Sequence, residues 1–101
     1  MKLLTDELRA QLPPLYAQDG TPDPIVHAKF FTPWTAWTWF VTEGSAEDDD
    51  FIFFGYVIGL DSEWGYFSLS ELEAVRGPGG LTIERDLYFI PRPKSQIAEI
   101  R

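Results

Sequence analysis

The sequence predicts an α+β fold: a mainly antiparallel sheet of four to five strands flanked by two or three short helices. Three observations carry this expectation. Apolar and polar residues alternate over several runs of strand length. Two segments open with helix-capping residues. Clusters of Gly, Pro, Asp and Ser separate almost every run from the next. Runs of strands mixed with short helices, without a regular strand–helix repeat, assemble as α+β layers. The 101 residues are expected to form one domain, residues 1–101.

The elements follow in order. Thr5 before Asp6 and Glu7 is a helix start, with acidic groups where the helix dipole favours them. The helix runs to about Leu12 and stops at Pro13-Pro14, with Leu4, Leu8 and Leu12 on one face. Residues 18–24 (QDGTPDP) form a loop. Residues 25–31 alternate, placing Val26, Ala28 and Phe30 on one face and His27 and Lys29 on the other. TPWT turns the chain, and residues 35–42 alternate again: Trp37, Trp39 and Val41 point one way, Thr38, Phe40 and Thr42 the other. EGSAEDDD (43–50) reads as an acidic loop. FIFFGYVIGL (51–60) is apolar on both faces and is assigned to a central strand.

Asp61-Ser62 makes a tight turn and EWGYFS (63–68) returns as a fourth strand. Ser68 and Glu71 have the spacing of a capping box, opening a helix over 69–76 that Gly77 and Pro78 end. ERDLYFI (84–90) is a fifth strand, closed by Pro91, and Ser95 caps a last short helix over 96–101.

Composition narrows the chemistry. Hydrophobic residues make up 45% of the chain and aromatic ones 16%, enough large rings to build a dense small core. A chain of this length buries roughly two-thirds of its unfolded surface, so that density is needed. The absence of cysteine rules out disulfides and thiolate metal sites, and is compatible with the cytoplasm, the expected location. Asp6, Glu7 and Arg9 interrupt the N-terminal apolar residues, so no secretory signal is expected, and no apolar run reaches membrane-spanning length. Sixteen acidic residues against eight basic ones give a net charge of −8. Phosphate recognition depends on Lys and Arg contacts, so direct nucleic-acid binding is disfavoured, as is attraction to an anionic membrane. The favoured partner is a basic protein surface, or one that normally holds nucleic acid.

The candidate sites are few. Three of the four tryptophans fall within FFTPWTAWTWF (30–40). Alternation with threonine assigns Trp37 and Trp39 to the core, whereas Trp34 follows Pro33 in a turn and has no alternation to bury it. FFGYV (53–57) is a faint match to the glycine-between-aromatics strand of RNA-recognition domains, without the leading basic residue. Glu43, Glu47, Asp48, Asp49 and Asp50, with Asp61 and Glu63 at another strand end, form an acidic set. Its spacing is not that of a calcium loop, and no nuclease motif accompanies it. A solvated loop, a partner-binding surface and a metal site all stay open for it, and no cofactor or metal is specified. His27 is the only histidine and lies on a strand's polar face without a catalytic companion. GPGG (77–80) lacks the lysine and setting of a phosphate loop, and Glu84, Arg85 and Asp86 pair across strands.

LPPLYA (12–17), KFFTPWTAWTW (29–39), TEG (42–44), FFGYVIG (53–59), GYFSLSEL (65–72) and RGPGGLTIERDLYF (76–89) span nearly the whole chain. Together they resemble a family of small acidic bacterial proteins known only as a domain of unknown function and carried largely on plasmids, conjugative elements and phages. The segment between Gly44 and Phe51 is shorter than that pattern. The resemblance brings no catalytic residues. It implies a setting in which small acidic proteins act as host-defence antagonists, including anti-restriction and anti-CRISPR proteins that imitate nucleic acid.

The leading expectation is therefore a non-enzymatic protein-binding module, an inhibitor of a nucleic-acid-handling host complex. Carboxylates of Glu43, Glu47, Asp48, Asp49, Asp50, Asp61 and Glu63 imitate phosphates in this reading, and Trp34 is an apolar anchor. The alternative is a metal-dependent enzyme acting on single-stranded nucleic acid, with carboxylates holding Mg²⁺ or Mn²⁺. A third is a structural or regulatory module whose charge keeps it soluble.

Overall fold

The computed structural model describes residues 1–100. Among these described residues, seven strands and two short α-helices make an α+β fold dominated by strands. The strands are β1 (Ile25–Val26), β2 (Ala28–Phe31), β3 (Thr38–Glu47), β4 (Asp50–Ile58), β5 (Ser62–Ser68), β6 (Glu84–Arg85) and β7 (Arg92–Pro93). The helices are α1 (Asp6–Gln11) and α2 (Leu69–Ala74). β5-β4-β3-β2-β6 form an antiparallel five-stranded sheet, and β1 and β7 pair separately.

Both helix starts follow the local chemistry of their caps. The Thr5 hydroxyl accepts the Leu8 N–H at 3.2 Å, and the Ser68 hydroxyl accepts the Glu71 N–H at 3.1 Å while donating to the Glu71 carboxylate at 2.9 Å. α2 ends earlier than its predicted length, because Val75 already has extended geometry. Gly77 is therefore not the C-terminal cap of α2; it leads into a 3₁₀ turn over Pro78–Gly80, and its bare Cα lets the Trp34 ring lie against it.

The sheet is covered on both faces. On one, Ala28, Phe30, Trp39, Val41, Phe51, Phe53 and Phe67 pack with Leu4, Leu8 and Leu12 around α1 and Leu72 of α2. On the other, Phe40 and Tyr56 pack with Val26 and Ile97. β4 lies inside the sheet between β5 and β3 and is apolar on both sides, as its sequence predicts, although the middle strand is β3.

Four expectations are corrected. The run 25–31 is not one strand: it breaks at His27, and Val26 crosses to the opposite face from Ala28 and Phe30, drawn into the second cluster. The acidic segment is not a loop. β3 continues to Glu47, and only Asp48 and Asp49 make the turn, with Asp48 at φ 53°, a backbone shape aspartate tolerates. The predicted strand 84–90 stops at Arg85, because the Asp86 carboxylate captures the Tyr88 N–H at 2.9 Å and folds a turn; Leu87, Tyr88 and Ile90 are left exposed. The last predicted helix, 96–101, is not formed over its described residues: a single 3₁₀ turn spans Lys94–Gln96 instead, and Arg101 lies outside the described residues.

Candidate functional site

The acidic set does not come together. Glu47, Asp48 and Asp49 are exposed at the β3–β4 tip. Asp50 sits beside them but is engaged: its carboxylate accepts the Phe51 N–H at 2.8 Å and the Ser70 N–H at 3.1 Å, and also bonds the Ser70 hydroxyl. The Ser70 hydroxyl above all, with the Phe51 amide, holds Asp50 below its usual carboxylate range. Asp61 and Glu63 are exposed at the far end of β4. The eight steps between the nine residues of β4, at ~3.3 Å each, put the two ends that carry these groups about 26 Å apart. Among the described residues no three Asp, Glu or His side chains are grouped to hold a metal ion.

Glu43 is a different kind of carboxylate. Simple alternation puts it on the face of Trp39 and Val41, but a register shift between Val41 and Glu43 brings it opposite Phe54. There it is 5% exposed. Its two oxygens accept the Tyr16 N–H at 2.9 Å and the Gln18 N–H at 2.6 Å. It belongs to the scaffold, not to the exposed acidic surface. Gln18 continues the lacing: its side chain donates to the carbonyls of Ile25 and Thr42 and accepts the Ile25 N–H. Held this way, Tyr16 has φ 73°, a left-handed conformation that costs a non-glycine residue about 1–3 kcal/mol.

This strained residue closes one wall of a groove. Phe54 of β4 and Tyr66 of β5 face each other across the ladder, with ring centroids 4.9 Å apart. Trp64 stacks beside Phe54 at 6.0 Å, and Tyr16 meets Tyr66 edge-on at 6.4 Å. Asp19, Pro24 and Lys94 form the rim, and the space enclosed is about 190 Å³. The Lys94 ammonium lies 5.7 Å from the Trp64 ring centroid. Tyr66 is 55% exposed, and the adjoining Tyr16 hydroxyl, followed by partial burial, raises its phenol above the usual value.

The tryptophan block lies on the other face. Trp39 is buried as predicted. Trp37 is not: it precedes the first residue of β3, outside the ladder that makes alternation meaningful, and is 38% exposed. Its ring stacks 5.8 Å from Trp39 and covers Gly59. Trp34 is half-buried against Gly77, in a cleft shared with Thr32, Thr35, Trp37, Val75 and Arg76. Asp61 and Glu63 border the neighbouring cleft formed by Trp37, Trp39 and Phe67. Trp34 is thus distant from the hairpin-tip carboxylates and closer to the smaller acidic pair.

Tyr16, Trp64 and Tyr66 were not singled out by sequence. Phe54 lay within FFGYV, and the usable signal there was an apolar outer face on β4 opposed by Trp64 and Tyr66 on β5.

The sequence model of a family described as "Protein of unknown function (DUF2958)" matches residues 3–99. The chain belongs to that family. The match takes in α1, every strand and the whole groove. No curated protein and no solved structure matches the chain.

Proposed function

We propose that this member of the family is a non-enzymatic binding module that seats a basic protein partner on the aromatic groove. The observation carrying this reading is the groove itself: four rings from three chain segments, Tyr16 and Tyr66 exposed and Phe54 and Trp64 half-buried, with one wall held in a strained shape by a buried carboxylate. Clustered Tyr and Trp side chains are the usual anchors of protein interfaces. A net charge of −8 draws partners of opposite sign and speeds their encounter.

In the setting that the sequence resemblance implies, the partner is a nucleic-acid-handling host complex, and the protein is an inhibitor of the anti-restriction or anti-CRISPR kind. The acidic residues serve this reading as two separate ends: Glu47, Asp48 and Asp49 steer at the hairpin tip, and Asp61 and Glu63 beside the tryptophans. Glu43 and Asp50, already hydrogen-bonded within the chain, have no part in imitating phosphate. The metal-dependent alternative relied on converging carboxylates, and their separation along β4 leaves it without support.

Affinity capture from a bacterial host lysate tests the reading. Three baits are compared: the native chain, a groove variant with Trp64→Ala and Tyr66→Ala, and a tip variant with Glu47→Gln, Asp48→Asn and Asp49→Asn. A basic partner retained by the native chain is expected to be lost from the groove variant by about 30-fold or more, the scale of a truncated anchor. The tip variant is expected to bind more slowly and with weaker salt dependence. A partner held equally by the groove variant refutes the assignment.

A further inference from the structure

The five-stranded sheet has two unequal edges. β6, at one end, is only two residues long. β5, at the other, is seven residues long and pairs with β4 in unbroken register from Ile52–Ser68 to Ile58–Ser62. Natural edges are normally blunted by lysine, proline, a bulge or a covering element. β5 has no lysine, no proline and no bulge. Among the described residues, no hydrogen bond from outside the sheet reaches a backbone group of Ser62–Phe67. Gly65 sits mid-strand, and open space surrounds the position where a Cβ would stand.

The same strand separates two grooves. On one face lie Tyr16, Phe54, Trp64 and Tyr66. On the other lie Trp37, Trp39, Phe67 and the carboxylates of Asp61 and Glu63, around a space of about 300 Å³. A strand laid against β5 sends successive side chains to opposite faces, and so fills both grooves in turn.

We propose that β5 accepts an extended segment of the basic partner as a sixth strand, with Lys or Arg at alternate positions. This rests on the binding reading above and states how the partner is seated. The charges fix which face takes which side chain. Glu63 is on β5 itself and Asp61 lies beside it, so the cationic side chains take the tryptophan face. On the opposite face the Lys94 ammonium lies against Trp64 and shares the rim with the one exposed carboxylate there, Asp19, while the Glu43 oxygens already accept two amides, so that groove, lined by four rings, takes the apolar side chains. A second copy of this chain is the wrong occupant, since each carries a charge of −8.

The test uses an acetylated, amidated heptapeptide of alternating arginine and valine, and two analogues N-methylated on one or the other alternate set of amides. Binding is followed by amide hydrogen exchange and by tryptophan fluorescence. With the parent peptide at roughly ten times its Kd, exchange of the outward β5 amides is expected to slow about tenfold. One methylated analogue loses binding and the other keeps it, because only one edge of the peptide faces β5. Glu63→Lys weakens the parent peptide several-fold. Equal binding by both analogues, protection confined to other elements, β5-dependent self-association in sedimentation, or no binding of the parent peptide overturns the proposal. If the groove variant still loses its lysate partner, these failures remove strand addition alone and leave the binding reading standing; a groove variant that keeps its partner removes the reading itself.

Discussion

Glu43→Gln isolates the role of the buried carboxylate. The substitution preserves shape and leaves one acceptor oxygen, but turns the other into an NH₂ donor. That donor then faces the N–H of Tyr16 or of Gln18, which the carboxylate now accepts at 2.9 and 2.6 Å. One charge-assisted bond becomes a neutral one and a second becomes an unsatisfied donor. Hydrogen bonds to charged groups contribute about 1.5–3 kcal/mol, and an orphaned donor costs about 1–3 kcal/mol, so the net loss is about 2–4 kcal/mol. For a chain of this size each kcal/mol shifts Tm by roughly 4–8 °C, so the variant melts at least about 8 °C lower. Calorimetry measures that shift, and native-state hydrogen exchange shows whether the Tyr16 and Gln18 amides open first. A shift under about 3 °C with unchanged exchange at both amides refutes the assignment of Glu43 to the scaffold.

Other outcomes follow from the same geometry. Tyr16→Gly relieves the left-handed backbone and is expected to stabilise the fold by about 1 kcal/mol or leave it unchanged, while reducing capture of the partner; paired melting and capture assays separate the two effects. Gly55→Ala drives a Cβ into the Phe40 carbonyl oxygen and to 3.1 Å from the Val41 Cα, both rigid backbone, so a loss above about 3 kcal/mol is expected in urea unfolding. Burial holds His27 below its ordinary 6.5, so the fold prefers the neutral ring. The unfolded chain then binds more protons as pH falls through that value, and stability drops with a slope below ~1.4 kcal/mol per pH unit; His27→Gln is expected to flatten this part of a pH–stability curve. Hydrogen bonds from Ser95 hold Asp23 low and those from Ser70 hold Asp50 low, a contribution present above about 3.8 and lost as pH falls further. Asp23→Asn with Asp50→Asn is expected to remove that acid limb.

The caps of α1 and α2 were legible because each is settled within four residues of sequence. So was β4, whose two apolar faces need no knowledge of its neighbours. Alternation failed where the ladder did. Alternation places Trp37 inward although the ladder begins only at Thr38, and it places Val26, which is buried, on the wrong face because the run breaks at His27. Charge density made Glu43–Asp50 look like a loop, although most of it is paired strand. The register shift that carries Glu43 to the face of Phe54 leaves no mark in the sequence. The groove was least legible, since it joins Tyr16 to β4 and β5 through contacts made across the chain.

The order of the strands also bears on how the chain reaches this state. β3, β4 and β5 form two adjacent hairpins whose contacts are local, so they can assemble early. β6 must find β2, and β7 must find β1, from distant parts of the chain, and these closures come late. The bare rim of β5 is therefore present while much of the molecule is still unformed, when strand edges on neighbouring chains can pair wrongly. Mutual repulsion between strongly anionic chains keeps such half-made molecules apart. On this folding order the acidity is expected to act as a kinetic safeguard during synthesis, a role separate from the proposed attraction of a partner.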